Sequence, residues 1–125
     1  MRAGTAFSFE APSETKAVPE RGIDSYVGAY VADGFSIGFD YGRWSNDLQG
    51  AAAWDSIDGR VSKYESGTAQ DCAAFPGDTT QGRFEADLYV ERSPGVRLTI
   101  QGCARDQRGL SDLQRLFRSI RFGPG

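Results

Sequence analysis

Histidine is absent from all 125 residues, which removes the commonest general base and the commonest metal ligand. There are only two cysteines and no Cys-x-x-Cys pair, which speaks against dithiol redox catalysis. No run approaches the ~20 apolar residues of a membrane span. An excess of basic charge is missing as well. Fourteen Lys and Arg against seventeen Asp and Glu give −3, the wrong balance for a general binder of nucleic acid or anionic membranes. Glycine-rich phosphate loops of either common spacing are absent, and so is the alternating Asp/Asn pattern of an EF-hand with its terminal Glu. No cofactor and no metal are therefore expected. Nucleophilic catalysis without histidine would have to draw its base from Lys16, Lys63 or a carboxylate.

What is present is an ordinary globular composition, 39% apolar and 12% aromatic, at a length that suits one domain over residues 1–125. Met1-Arg2-Ala3-Gly4 runs straight into a strand-like stretch with no apolar leader core, so a leader is expected to be missing from this chain.

Most of the chain reads with period two. Ala6 to Glu10 forms a short first strand stopped by Pro12, and residues 12 to 23 read as a surface connection. Ser25–Ala32 and Phe35–Tyr41 flank Asp33-Gly34, a dipeptide that favours the type I′ hairpin turn. That turn sets Tyr30 opposite Ile37, Gly28 opposite Phe39 and Tyr26 opposite Tyr41. It gathers the aromatic area on one face, which must then be the core face. Arg43 to Ala53 reads as a short helix or a loop. Trp54 to Glu65 reads as a second hairpin around Asp58-Gly59, with Ile57 facing Arg60 and Trp54 facing Lys63. Residues 66 to 82 read as irregular. A third hairpin turns at Ser93-Pro94-Gly95. It places Phe84, Ala86, Leu88 and Val90 with Leu98, Ile100, Gly102 and Ala104 on the apolar face, with Glu91 paired to Arg97. Leu110, Leu113, Leu116, Phe117 and Ile120 make the apolar stripe of a closing helix, with Ser111 and Gln114 at capping-box spacing. The expected fold is α+β: a mostly antiparallel sheet built from successive hairpins and covered by a C-terminal amphipathic helix, forming a sandwich.

Phe7-Ser8-Phe9-Glu10-Ala11-Pro12 at the start and Leu116-Phe117-Arg118-Ser119-Ile120-Arg121-Phe122 at the end resemble the Mog1/PsbP-like α/β/α sandwich group. Small exported bacterial proteins of unknown role look similar at both ends. The stretch from Ser13 to Gly22 departs from that pattern, lacking the amphipathic helix that usually follows the first strand. The resemblance implies a noncatalytic accessory or binding protein.

Cys103 falls on the polar face of its strand beside Arg97 and Gln101, where a cysteine merely packed in the core would not stand. A bridge to Cys72 closes a loop of ~32 residues and stabilises by about 3.5–4 kcal/mol in the chain-entropy picture. Such a bridge implies an oxidising compartment, periplasmic or secreted; two free thiols would instead fit a cytoplasmic partner-binding protein. Asp40-Tyr41-Gly42-Arg43-Trp44-Ser45-Asn46-Asp47 concentrates Tyr, Arg and Trp, the side chains enriched at binding hot spots. Asp40, Tyr41, Arg43, Trp44 and Asp47 are the candidate partner contacts, with Trp44 as a core plug and Arg43 neutralising Asp40 as the alternative. Asp40, Asp47, Asp55 and Asp58 flank adjacent strands and turns and leave carboxylate acid–base hydrolysis open. Arg105, Arg108, Arg115, Arg118 and Arg121 make the last part locally basic, either to orient an acidic partner or as a solvated helix face. The expected function is that of a noncatalytic exported binding or accessory domain for a protein or small ligand. The alternatives are a small carboxylate hydrolase and a cytoplasmic partner-binding protein.

Overall fold

The computed structural model describes residues 2–3, 7–11, 15–18, 26–42, 51–69, 83–93 and 96–122. Among the described residues, ten strands and one helix follow in chain order: β1 Arg2–Ala3, β2 Phe7–Ser8, β3 Lys16–Val18, β4 Tyr26–Val31, β5 Phe35–Gly42, β6 Ala52–Ala53, β7 Ser62–Ala69, β8 Arg83–Ser93, β9 Val96–Ala104, α1 Gln107–Arg118 and β10 Arg121–Phe122. Seven of the strands form one sheet in the order β3-β4-β5-β9-β8-β7-β6, and β1, β2 and β10 form a second, small sheet. Every pairing is antiparallel. The architecture is α+β, mostly antiparallel sheet with one C-terminal helix.

The β4–β5 hairpin has the register that its aromatics require, with Tyr30 opposite Ile37, Gly28 opposite Phe39 and Tyr26 opposite Tyr41. Phe35, Ile37 and Phe39 are buried on one face. β8 and β9 add Ala86, Leu88, Val90, Leu98, Ile100 and Ala104 to that face, each fully buried. Leu113, Leu116, Phe117 and Ile120 of the helix side close over it. Phe7 and Phe9 join the same core from the small sheet. The Phe7 ring meets Phe39 edge-on at 5.0 Å, and Phe9 meets Tyr30 edge-on at 5.1 Å. The helix and the small sheet thus share the work of covering one sheet face.

Two glycines let the helix come this close. A Cβ on Gly102 would lie 2.9 Å from the Ala86 carbonyl oxygen and 2.5 Å from Leu113 Cδ2. A Cβ on Gly109 would overlap the Gly34 carbonyl oxygen and sit 3.0 Å from its carbon.

Several sequence expectations need correcting. The left-handed backbone of a type I′ turn occurs at Asp58 (φ 52°) and Gly59 (φ 75°), not at Asp33-Gly34. Gly34 instead packs against Gly109 and accepts a 2.9 Å hydrogen bond from the Arg105 backbone N–H, so tertiary contacts shape that turn. Trp54 does not face Lys63. Ile57 and Arg60 bridge as expected, but Lys63 pairs with Ala53, and the Trp54 N–H bonds the Ser62 carbonyl at 3.0 Å. One extra residue enters between them where the Ser62 hydroxyl donates to the Asp55 carbonyl. That slip turns Trp54 to the helix side, where it stacks on Tyr64 at 4.5 Å and meets Phe117 edge-on at 6.3 Å.

The helix begins a turn earlier than Ser111. Asp106 is the N-cap, its Oδ1 accepting from the Gly109 N–H at 2.8 Å, while Ser111 is exposed within the helix. Gln114 donates to the Tyr64 hydroxyl instead of capping. Residues 12 to 23 hold an edge strand, Lys16–Val18, paired with β4, and the irregular stretch expected from 66 is strand as far as Ala69. The helix or loop expected over Arg43–Ala53 lies mostly outside the described residues, apart from β6.

Candidate functional site

A cleft of about 710 Å³ opens where α1 starts. The local sequence builds it in three steps. β9 ends at Ala104, and Arg105 ties its N–H to the Gly34 carbonyl, which brings the strand end under the β4–β5 turn. Asp106 then caps the helix, and Gly109 sets the first helical turn against Gly34. Finally the Glu10 N–H bonds Ser119 Oγ at 2.7 Å, which holds Glu10 and Ala11 alongside the helix. The trough runs from Asp106 to Leu116, roughly 15 Å of helix at 1.5 Å per residue.

Its walls are charged and its floor is apolar. Arg105, just before the N-cap, and Arg108, Asp112 and Arg115 of α1 recur at three- and four-residue spacing, and Asp33 and Glu10 line the same cleft. Phe35 and Leu116, each 1% exposed, form the floor. Arg115 reaches Asp112 at 3.7 Å, an exposed pair of little energetic weight. Sequence reasoning treated the C-terminal arginines as one group, and the structure divides them. Arg118 leaves the cleft to bond Asp55 Oδ2 at 2.7 Å and to lie over the Trp54 ring at 4.6 Å, while Arg121 bonds the Ile120 carbonyl.

The sheet face away from α1 carries different chemistry. Asp87 on β8 stands opposite Glu65 on β7 and Gln101 on β9, with Glu85 two residues away on the same face. Asp87 is 7% exposed, and its Oδ1 has no hydrogen-bond partner. Burial pushes its carboxyl up to about 7. Repulsion from Glu85 and Glu65 and a carboxyl hydrogen bond with Glu85 add to the rise, and a backbone hydrogen bond from Gly102 works against it. The hollow beside it measures about 140 Å³. No group of three or more His, Cys, Asp or Glu suited to a metal ion occurs among the described residues.

Of the sequence-predicted contacts, Asp40 and Tyr41 are described, and as strand neighbours they face opposite ways. Tyr41 is on the core side with its ring 6.3 Å from Phe7 and 6.4 Å from Phe122. Asp40 is on the other side, opposite Val27 and Thr99, and its Oδ1 has no hydrogen-bond partner. Arg43, Trp44 and Asp47 lie outside the described residues. Asp55 and Asp58 are occupied structurally: Asp55 by Arg118, and Asp58 Oδ2 by Arg60 and the Phe122 N–H, both at 3.0 Å. Cys103 takes part in a disulfide and is 6% exposed. The chain's other cysteine, Cys72, lies outside the described residues.

Two catalytic spacings that sequence reasoning missed also find their place here. Gly34-Phe35-Ser36-Ile37-Gly38 matches the nucleophile-elbow string, but Ser36 lies within β5 opposite Cys103 rather than on a strand-to-helix turn, and no histidine exists to serve it. Ser13 and Lys16 stand at Ser-x-x-Lys spacing, with Ser13 outside the described residues.

Compared with known proteins, the chain matches no family model, no curated protein and no solved structure. No helix among the described residues is long and apolar enough to cross a membrane.

Proposed function

We propose that this chain is a noncatalytic, exported binding or accessory domain, a single α+β sandwich over residues 1–125 of the Mog1/PsbP-like kind that it resembles at its two ends. Its principal site is the cleft along α1, and its partner is a protein segment or small ligand carrying both charge signs. One observation carries the reading: cavity and perturbed chemistry are in different places. The cleft of about 710 Å³ falls within the roughly 300–1,000 Å³ of ligand sites. Asp87, the carboxyl raised to about 7, faces a hollow of only about 140 Å³ on the other side of the sheet. A perturbed carboxyl inside a roomy cleft is the combination that points to catalysis, and among the described residues the two are apart. Arg105, Arg108 and Arg115 against Glu10, Asp33 and Asp112 suit recognition of a mixed-charge chain over an apolar floor. The disulfide at Cys103 supports an oxidising compartment, periplasmic or secreted. Asp40, Tyr41, Arg43, Trp44 and Asp47 are a second proposed contact, supported by the Asp40 oxygen that has no hydrogen-bond partner.

The alternative, a carboxylate hydrolase, is favoured by one observation, the Asp87–Glu85 pair itself. One experiment separates the two readings. The ¹⁵N-labelled protein is titrated with the tripeptide Glu-Ala-Arg, with Gln-Ala-Gln and with chromogenic glycosides. The binding reading expects Glu-Ala-Arg to shift the amides of Gly34, Arg108, Gly109 and Asp112, Arg108→Glu to weaken it at least tenfold, and no glycoside to turn over. Glycoside turnover lost in Asp87→Asn would replace it with the hydrolase.

A further inference from the structure

Asp-Gly occurs twice in the chain, at Asp33-Gly34 and at Asp58-Gly59, and both dipeptides sit at the turn of a hairpin. In this dipeptide the aspartate carboxyl carbon and the glycine backbone nitrogen can close a five-membered ring, and glycine has no side chain to shield that nitrogen. What holds the two groups decides whether they meet, and the two turns hold them differently.

Asp58 is committed. Its Oδ2 accepts from Arg60 Nη1 and from the Phe122 N–H, both at 3.0 Å, so two bonds must break before its carboxyl can swing onto Gly59. Asp33 is exposed, and its carboxylate enters no hydrogen bond or ion pair among the described residues. The Ala32 N–H closes that turn on the Phe35 carbonyl at 2.8 Å, while the Gly34 N–H has no hydrogen-bond partner among the described residues. The atoms just past the reactive pair are fixed. The Gly34 carbonyl accepts the Arg105 N–H at 2.9 Å, a Cβ on Gly34 would lie 3.3 Å from Gly109 Cα, and Phe35 is 1% exposed.

We propose that Asp33-Gly34 is a site of spontaneous isomerisation to isoaspartate, and that the conversion loosens the cleft along α1 as the protein ages. The Gly34 nitrogen attacks Asp33 Cγ, and a carboxyl oxygen leaves as water with the amide proton and the carboxyl's own. Water then adds to the backbone carbonyl carbon of Asp33, the bond from that carbon to the Gly34 nitrogen breaks, and the nitrogen regains a proton while staying bonded to Cγ. The water lost is the water regained, so no other reactant is needed. The main chain now runs through Cβ and is longer by one carbon, about 1.5 Å. A two-residue turn cannot absorb that length while Phe35 stays buried and Gly34 stays against Gly109, so the Arg105–Gly34 hydrogen bond gives way. The modification needs no ligand; only its effect on recognition rests on the cleft being the binding site.

The test incubates the whole disulfide-intact chain at neutral pH in water enriched in ¹⁸O, then separates and weighs its proteolytic peptides. The Asp33 peptide should split into two chromatographic species carrying heavy oxygen, at least tenfold faster than the Asp58 peptide. Asp33→Glu, at an exposed position and with a side chain too long for the five-membered ring, should abolish the splitting. Arg60→Gln, which frees one side of Asp58, should speed reaction there, and in guanidinium chloride the two sites should react within a few-fold of each other. Equal rates in the folded chain, or splitting at Asp58 alone, would overturn the assignment. In the isolated isoaspartyl fraction the Arg105 amide should exchange at least tenfold faster than in fresh protein, and Glu-Ala-Arg should bind several-fold more weakly. Unchanged exchange at Arg105 would overturn the coupling to the cleft. If isoaspartate forms and Arg105 loosens while fresh protein never binds Glu-Ala-Arg, the binding reading fails and the modification site stands.

Discussion

Gly109→Ala sets two effects of opposite sign against each other, and the structure decides which one wins. Gly109 lies in the third position of α1, where helix propensity alone predicts that alanine stabilises by about 1 kcal/mol. But the added methyl would overlap the Gly34 carbonyl oxygen, with Gly34 C at 3.0 Å and Asp106 Oδ1 at 3.4 Å. Both nearest atoms belong to backbone, and no flexible side chain can move aside. Relief requires the first helical turn to lift from the β4–β5 turn by something like 1 Å, which stretches the 2.9 Å hydrogen bond from Arg105 to Gly34. Losing that bond costs about 1 kcal/mol, and overpacking typically adds 1–3 kcal/mol. After subtracting the propensity gain, a net loss of about 1–3 kcal/mol is expected, read as a lower urea midpoint at unchanged slope. Ser111→Ala, at an exposed site in the same helix, gains a few tenths of a kcal/mol and calibrates propensity without a clash. If Gly109→Ala instead raised the midpoint along with Ser111→Ala, the close approach of helix and turn, and the cleft built on it, would be wrong.

Three further predictions rest on separate contacts. Gly102→Ala should cost about 2–4 kcal/mol in the same urea assay, because its Cβ meets both the Ala86 carbonyl at 2.9 Å and Leu113; a loss under 0.5 kcal/mol would refute this packing. Asp58→Ala removes an acceptor for the Phe122 N–H and places alanine at φ 52°, so about 1–3 kcal/mol should go, whereas Asp58→Asn, which tolerates that backbone, should lose less than half as much. The Asp87 carboxyl is raised from 3.8 to about 7, so between those values the folded chain holds a proton that the unfolded chain has released. Stability should therefore fall as pH rises from about 4 to about 7, by an amount with a ceiling on the order of 4 kcal/mol, and then level off. Thermal melts of Asp87→Asn against the parent should show this slope removed, and equal slopes would refute the assignment.

How far the sequence discloses this molecule depends on whether a feature is set by one strand's pattern or by contacts across the fold. Tyr30, Ile37 and Phe39 crowd onto one face, and any slip of that hairpin would expose them, so its register could be read directly. Leu98 and Ile100 do the same for β9, and Leu113, Leu116 and Phe117 for the helix. The Trp54 register could not be read, because one hydroxyl bond from Ser62 to the Asp55 carbonyl adds a residue to the ladder. Asp106 and Ser111 are both acceptable caps by chemistry. The choice of Asp106 follows from where Gly109 touches Gly34. β3 is strand only through its pairing with β4, as three residues carry too little period to announce themselves. The cleft was half legible: Arg108, Asp112 and Arg115 have helical spacing in the sequence, but only the fold brings Asp33 and Glu10 into the same cleft. The Asp87 cluster needed Glu65 in register on a strand whose continuation through Ser66-Gly67-Thr68 reads as irregular.

The two sheet faces make opposite demands on the same strands. On the α1 side the backbone must come close enough that Gly102 and Gly109 exclude even a methyl group, and the helix start and the β4–β5 turn are fixed to each other with little freedom. A cleft founded on such contacts is preorganised, so it loses less freedom of its own on binding than a mobile surface would. On the other side β8 and β9 place carboxylates and amides between the apolar residues, and one carboxyl is buried at an energetic cost to the fold. A cost of that kind is offset when a cation arrives, whereas replacing Asp87 by a neutral side chain would remove it permanently. Keeping a carboxyl at that buried position is therefore hard to explain by stability and straightforward to explain by recognition.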